Sequence, residues 1–338
     1  MPNAHVSETS GRRDTGGVTG ITAFENMSVD QQIESLGDIV AEILAQYELG
    51  PHDAVCINHE LNSTFAETCN SGEKYALRVN VNSHRTLENL RAETHWVNAV
   101  SNVVTPRPVA NREGEFVTSG WHEASGRKRH GVLYTWLEGV EPGDEPTLEQ
   151  LSAAGASMAR LHAGARTLEL PPDAVFPDFA DFFWGDPDVL LTPESVLTSE
   201  EREIVARAHA RIEQTLERLR ERAAPQPIHA DIHPWNIMWH EGTLAIFDFD
   251  DSGIGLPVQD LATSLYYLDN DEQVAAFLTG YSGEGLLPEY TPEEMGLLLL
   301  QRRIVLLNSL LQSSNPEHRE GFHDYCAETM RRVTHALG

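Results

Sequence analysis

Near residue 140 the sequence changes its period, and that change restricts the architectures open to the chain. Upstream lie short β-type stretches, "AVCINHEL", "TFAETC" and "KYALRVNV", with Ser71-Gly72 as the turn between the second and third. A helical stretch, "RTLENLRAETHWVNAV", comes next, then two further strand-like runs, "RPVANREGEFV" and "GVLYTWLEG". Ahead of them "SVDQ" spells a capping box at Ser28, and apolar residues recur at helical spacing from Val29 to Tyr47 until Gly50-Pro51 stops them. Past the acidic "LEGVEPGDEP" the spacing is helical. Thr147-x-x-Gln150, Thr198-x-x-Glu201 and Thr291-x-x-Glu294 each open a helix as a capping box, the last with Pro292 in its first turn. The pattern predicts an α+β fold of two lobes. A mobile tail is expected over residues 1–25, a small β-rich lobe over 26–137, and a larger, mainly helical lobe over 138–338.

Charge narrows the partners. The chain has 24 Lys and Arg against 52 Asp and Glu, a net of −28. Nucleic-acid binding rests on basic contacts to phosphate, so such a surface opposes it. It would favour cationic small molecules, because an acidic cleft concentrates them, although plain solubility or adaptation to salt explains the charge equally well. No apolar run approaches the ~20 residues of a membrane span, and the first residues lack the apolar stretch of a signal peptide, so a cytoplasmic location is expected. Cys56, Cys69 and Cys326 are odd in number and show no CxxC spacing, which indicates reduced thiols.

The chemistry is concentrated in two segments, "IHADIHPWNIM" at 228–238 and "AIFDFDDSGIG" at 245–255. Zinc binding by His229 and His233 would need a helix, which Pro234 disfavours, and no further His or Cys stands at useful spacing. His229, between Ile228 and Ala230, reads as a buried histidine bonded to backbone. His233 is open between a packing role and a substrate contact. Phosphoryl transfer explains the pattern better. It needs a carboxylate that orients an alcohol and accepts its proton, for which Asp231 serves. It also needs oxygen donors for Mg2+, for which Asn236 and Asp248 serve, the latter returned by the short strand "TLAIFDF".

"HADIHPWNIMW…LAIFDFDD" resembles the signature of the aminoglycoside phosphotransferase and choline kinase superfamily, relatives of protein kinases that mostly phosphorylate small molecules. The flavour is nearest to type II homoserine kinases and bacterial stress-response kinases, and the similarity spans roughly residues 30–335. The resemblance implies a protein-kinase-like bilobal fold with ATP and Mg2+ as cofactors, the 26–137 lobe binding nucleotide. It makes Asp231 the catalytic base, Asn236 and Asp248 the metal ligands, and Asp260 of "VQDLA" a brace for the loop. Leu161-His162 of "MARLHA" is read as packing. Arg78, where protein kinases use lysine, would bind the α- and β-phosphates while paired with Glu93; arginine keeps its charge and binds phosphate bidentately. Lys74 is a possible stand-in. The phosphate-covering turn has no glycine, and Asn62, Ser63 and Thr64 would donate to phosphate instead. Backbone near Trp136 to Glu138 would read the adenine. The acceptor pocket would draw on Asp250, Asp251, Trp235 and the aromatic "DFFWGD" at 181–186, although core packing explains those aromatics equally well. The expected reaction moves the γ-phosphoryl group of ATP to a hydroxyl of an amino alcohol, a homoserine-like or an aminoglycoside-like molecule. A Ser/Thr protein acceptor is the first alternative, opposed by the shortness of "DSGIGLPVQ" between Asp248 and the Asp260 helix. A non-catalytic nucleotide-binding protein is the second.

Overall fold

The computed structural model describes residues 24–50, 52–312 and 321–337. Its first helix, α1 (Val29–Ser35), begins as "SVDQ" requires: Ser28 Oγ accepts from Gln31 N at 3.3 Å, and Gln31 Oε1 accepts from Ser28 N at 3.0 Å. The single helix expected over 29–47 is two, because the chain turns at Leu36 and restarts as α2 (Gly37–Leu44). Gly37, a poor helix former, sits at that junction. Of the tail expected over 1–25, Phe24 and Glu25 belong to regular structure. Phe24 is buried in a 3-10 turn, Phe24–Asn26, and the rest of that stretch lies outside the described residues.

Five antiparallel strands follow: β1 (His52–His59), β2 (Asn62–Cys69), β3 (Lys74–Asn80), and, after α3 (Leu87–Ala99), β4 (Val117–His122) and β5 (Arg127–Thr135). Their order is β1-β2-β3-β5-β4. The strand expected at "RPVANREGEFV" starts only at its last residue. Pro106 and Pro108 have no N–H for a ladder. Asn111 Oδ1 then accepts from the backbone of Glu113 and Glu115, at 2.9 and 3.0 Å, and curls the chain into a turn. Register sets Thr64 opposite Arg78, and Arg78 opposite Val132, on one face of the sheet. The other face buries Phe65, Leu77, Val79 and Leu133 against Leu36, Ile39 and Ile43.

The linker is pinned to the helical lobe. Val140 and the backbone of Trp239 exchange hydrogen bonds of 3.0 and 2.9 Å. Gly139, at φ 136°, passes so close that a Cβ would stand 2.6 Å from Trp239 O, which leaves room for glycine alone. Helix α4 (Leu148–Ala165) then buries Leu151, Ala154, Met158 and Leu161, the face its spacing marks. It is followed by α5 (Ser199–Arg220), β6 (Gln226–Ile228), β7 (Ile237–His240), β8 (Thr243–Ile246) and β9 (Gly253–Gly255). Strand β6 pairs with β9, and β7 with β8 through Glu241-Gly242, both at positive φ as a tight hairpin demands. The strand expected at "TLAIFDF" ends at Ile246, because Asp248 takes φ 59° and leaves the ladder. Among the described residues, four helices close the lobe: α6 (Pro257–Tyr266), α7 (Asp271–Glu284), α8 (Pro292–Gln312) and α9 (Phe322–Leu337).

Candidate active site

Residues 229–236 form the loop between β6 and β7, and Asp260, in the first turn of α6, holds it from beneath. Asp260 Oδ1 accepts from Ala230 N at 2.8 Å; Oδ2 accepts from His229 N at 3.1 Å and pairs with His162 Nε2 at 2.8 Å. Those bonds hold Ala230 at φ 65°, a conformation a non-glycine residue adopts only when its surroundings impose it. Burial alone would raise the Asp260 carboxyl, but the His162 hydrogen bond and charge outweigh it and keep the group below its usual range. His162, read as packing from sequence, is a polar link: its Nδ1 lies 2.8 Å from Tyr281 OH. His229 is fully buried with Nε2 at 3.1 Å from Phe247 O, so its ring also ties the loop to the segment just after β8.

Above this base lies a cavity of about 700 Å3 between the lobes. Among the residues singled out in the sequence, Thr64, Arg78, Glu93, Trp136, Asp231, His233, Trp235, Asn236 and Asp248 all line it. Asn236 Nδ2 donates to the Asp231 carbonyl at 3.0 Å and to Asp231 Oδ2 at 2.8 Å. Its amide oxygen is therefore the atom left for another partner. Phe247 N donates to Asn236 O at 3.1 Å, which brings Asp248 back beside the loop. Arg78 Nη2 meets Glu93 Oε2 at 2.5 Å, while Nη1 reaches Asp248 Oδ1 at 3.2 Å. Tyr134 OH donates to the other Glu93 oxygen at 2.7 Å, so the glutamate is fixed from both sides. Burial and the neighbouring Asp250 carboxylate push the Asp248 carboxyl well above its usual range, with Arg78 only partly offsetting them. Such a group favours an added cation beside it.

Of the residues singled out for the site, Asn62, Ser63, Lys74, Glu138, Asp250 and Asp251 do not line this cavity. Ser63 faces away from the cavity: it is buried, and its hydroxyl bonds His59 Nδ1 at 2.7 Å, because alternation along β2 puts it on the opposite face from Thr64. Asn62 spends its amide on Asp250 Oδ2, at 2.5 Å. Glu138 is exposed and pairs with Lys74 at 3.9 Å, and neither residue lines the cavity. Asp250 and Asp251 lie next door, where Arg85 donates to the Asp250 carbonyl at 2.9 Å and approaches Asp251 Oδ1 at 3.4 Å. Of the aromatic run, Phe182, Phe183 and Trp184 are core residues.

Arg302, on α8, went unmarked in the sequence. It is buried and donates Nη2 to Asp231 Oδ1 and, at 2.8 Å, to Tyr267 OH. Its signal was present: two arginines interrupt the apolar run "GLLLLQRRIVLLNSLL", and a buried cation needs a buried anion. Burial would raise the Asp231 carboxyl, but Arg302 and then His233, whose Nε2 stands 3.3 Å from Oδ2, draw it far below the ordinary carboxylate range. Asp231 is thus an ionised, oriented acceptor of hydrogen bonds. Glu60 and Glu141 also line the cavity and make its mouth acidic.

The donor set suits a hard divalent cation bound together with phosphates. Asn236 and Asp248 offer two oxygens, and no group of three or more His, Cys, Asp or Glu is placed to hold a metal among the described residues. Two oxygens are too few for a protein-only cage, whereas Mg2+ commonly takes one or two protein ligands and completes its shell with water and phosphate.

Residues 58–296 match the profile of the phosphotransferase enzyme family. Among solved structures, the amicoumacin kinase hAmiN in complex with AMP-PNP, Ca2+ and Ami superposes with a TM-score of 0.72 at 19% identity, over 89% of this chain and 96% of that one. A microcompartment-associated aminopropanol kinase gives 0.72 at 22% identity, over 88% and 96%. A choline/ethanolamine kinase family protein from Mesorhizobium loti gives 0.59 at 17%, over 92% and 95%. No curated protein sequence matches the chain, and no described helix is long and apolar enough to cross a membrane. The chain belongs to the phosphotransferase enzyme family and is an ATP-dependent kinase with a hydroxyl group as acceptor.

Proposed function

We propose that the acceptor is an amino alcohol, that Asp231 receives its proton, and that Asn236 and Asp248 hold Mg2+. One observation carries the reading: Asp231, Asn236 and Asp248 line the same cavity as the Arg78–Glu93 pair. The alcohol oxygen attacks the γ-phosphorus of ATP, the bond from that phosphorus to the β–γ bridging oxygen breaks, and ADP departs with the electron pair. Asp231, strongly acidic beside Arg302, is a poor base toward a free alcohol. It orients the hydroxyl and takes the proton late, once bonding to phosphorus has made that proton acidic, as a loose transition state allows. Arg78 holds the phosphates, with Glu93 and Tyr134 fixing its guanidinium. Bound Mg2+ would neutralise charge on the transferring group.

The amine is inferred from the acid around the cavity. Glu60 and Glu141 line it, Asp250 and Asp251 stand beside it, and the chain carries −28 overall. The likeness in fold to an aminopropanol kinase supports the same class. ATP turnover measured over amino alcohols, choline, homoserine, aminoglycosides and a generic protein substrate tests this. Amino alcohols should give the highest kcat/KM, and preference for an uncharged alcohol or a protein would sink the assignment. Asp231→Asn should lower kcat by about 10²–10⁴-fold.

A further inference from the structure

A second cavity, of about 540 Å3, lies among α5, α6, α8 and α9 and shares no lining residue with the cleft. Its lining is basic in an acidic protein: Arg211, Arg303, Arg331, Arg332 and His335 stand against one lining acid, Glu293. Its floor is apolar, with Leu265, Leu297 and Leu300. Three of the guanidiniums stand in exposed or half-exposed pairs. Arg211 meets Glu293 at 2.8 Å, and Arg331 and Arg332 share Glu328 at 2.6 and 2.7 Å. Pairs in water hold weakly, because solvent already satisfies both charges. An oxyanion that engages several guanidiniums at once can therefore replace them, and the three terminal oxygens of a phosphate monoester suit that number better than the two of a carboxylate.

This cavity touches the catalytic loop through two pairs of chain neighbours. Arg303, on its wall, donates to Tyr266 OH at 3.1 Å and lies 4.2 Å from the ring of Tyr325. The next residues of the same two elements belong to the cleft side: Arg302 holds Asp231 and Tyr267 OH, and the Tyr267 ring packs on His233 at 4.5 Å. Each of α8 and the end of α6 thus presents one residue to the cavity and its neighbour to the loop. A ligand that draws on Arg303 pulls on the helix that clamps Asp231.

We propose that this cavity binds a phosphate monoester with an apolar body, and that its occupancy lowers turnover through α8. The coupling rests on the reading of Asp231 given above, whereas the binding does not. The test uses the full chain with its cleft filled by AMP-PNP and Mg2+, titrated calorimetrically with phenyl phosphate. One equivalent should bind, and the double variant Arg331→Glu/Arg332→Glu, at two exposed positions, should bind at least tenfold more weakly. Without phenyl phosphate that variant should turn over like the parent. At saturating phenyl phosphate the parent's kcat should fall at least twofold and the variant's should not. Absent binding, or equal affinity in the variant, overturns the site; an undiminished parental kcat overturns the coupling. Binding is read without turnover, so a failed kinase reading, seen as no ATP consumption with any acceptor, leaves the binding result standing.

Discussion

Asp260 in the helical lobe and Glu67 in the sheet lobe are both buried carboxylates, 1% and 0% exposed, yet among the described residues only the first has hydrogen-bond partners. Asp260 accepts from two backbone amides and a histidine and is held below its usual range. Neither oxygen of Glu67 has a partner among the described residues, and burial pushes its carboxyl up to about 7, with His52 lowering it only in part. Glu67 lies on the face of β2 that also buries Ser63 and Phe65, away from Thr64 and the cleft. The contrast separates two kinds of buried charge. One fixes a strained backbone in place for chemistry, while the other costs stability for no bond that the fold supplies.

Removing the partnered acid should cost most. Asp260→Ala orphans the amides of His229 and Ala230 and leaves His162 without its acceptor, and breaking a buried network of this kind costs about 3–5 kcal/mol. Urea unfolding should show that loss, and turnover should fall with it because Ala230 no longer has a reason to stay at φ 65°. A loss below about 1 kcal/mol would mean that the partners in the helical lobe confer nothing, and the contrast would fail.

For Glu67 the expectation reverses with pH. Its folded-state pKa of about 7 lies above its ordinary value of 4.5. The folded chain therefore holds a proton that the unfolded chain releases between those values. Stability falls as pH rises from about 4.5 to about 7, and the deficit persists above. Glu67→Gln removes this titration. The variant's stability relative to the parent should improve by up to about 3 kcal/mol between about pH 4.5 and about pH 8, since each pH unit separating the folded and unfolded pKa is worth about 1.4 kcal/mol. A relative stability independent of pH would show that Glu67 has a partner in solution after all.

How much of this was legible in the sequence follows the range of the interactions. The capping boxes at Ser28, Thr147, Thr198 and Thr291 are three-residue events and appear where the spacing puts them. Asp231 and Asn236 share one loop, so their joint approach to the cavity was readable. Arg302 stands 71 positions from Asp231, and nothing local announces that the two will meet. Ser63 failed for another reason. Its residue type suited phosphate, but strand parity, which depends on where β2 begins, sends it to the other face.

The partnered network also depends on a close helix crossing, which allows a gentler perturbation. His162 lies on α4 and Tyr281 on α7, and the two helices meet where a Cβ at Gly280 would stand 1.8 Å from Ser152 O. Glycine to alanine in a helix interior normally gains about 1 kcal/mol. Here the obstacle is backbone, so α7 must move away from α4, and overpacking of this kind costs about 1–3 kcal/mol. Gly280→Ala should therefore destabilise by about 1–2 kcal/mol in urea unfolding. A stabilised variant would show that the crossing has slack, and that Asp260 is held without help from Tyr281.

Lys74 supplies the smallest expected effect and bounds the comparison from the exposed side. Its ammonium sits 3.9 Å from Glu138 with both side chains about half in water, and 5.7 Å from the Trp136 ring. Water already solvates both charges, so partner and no partner differ little there: exposed pairs contribute about 0–1 kcal/mol. Lys74→Ala should change stability by less than about 0.5 kcal/mol, near the bottom of that range. The ATP KM should stay within about twofold, since a rim charge that makes no phosphate contact adds only long-range attraction, which salt screens. A tenfold rise in KM would transfer the phosphate-binding role from Arg78 to Lys74. It would also mean that the exposed end of β3, not its buried ion pair, is where the sheet lobe invests its charge.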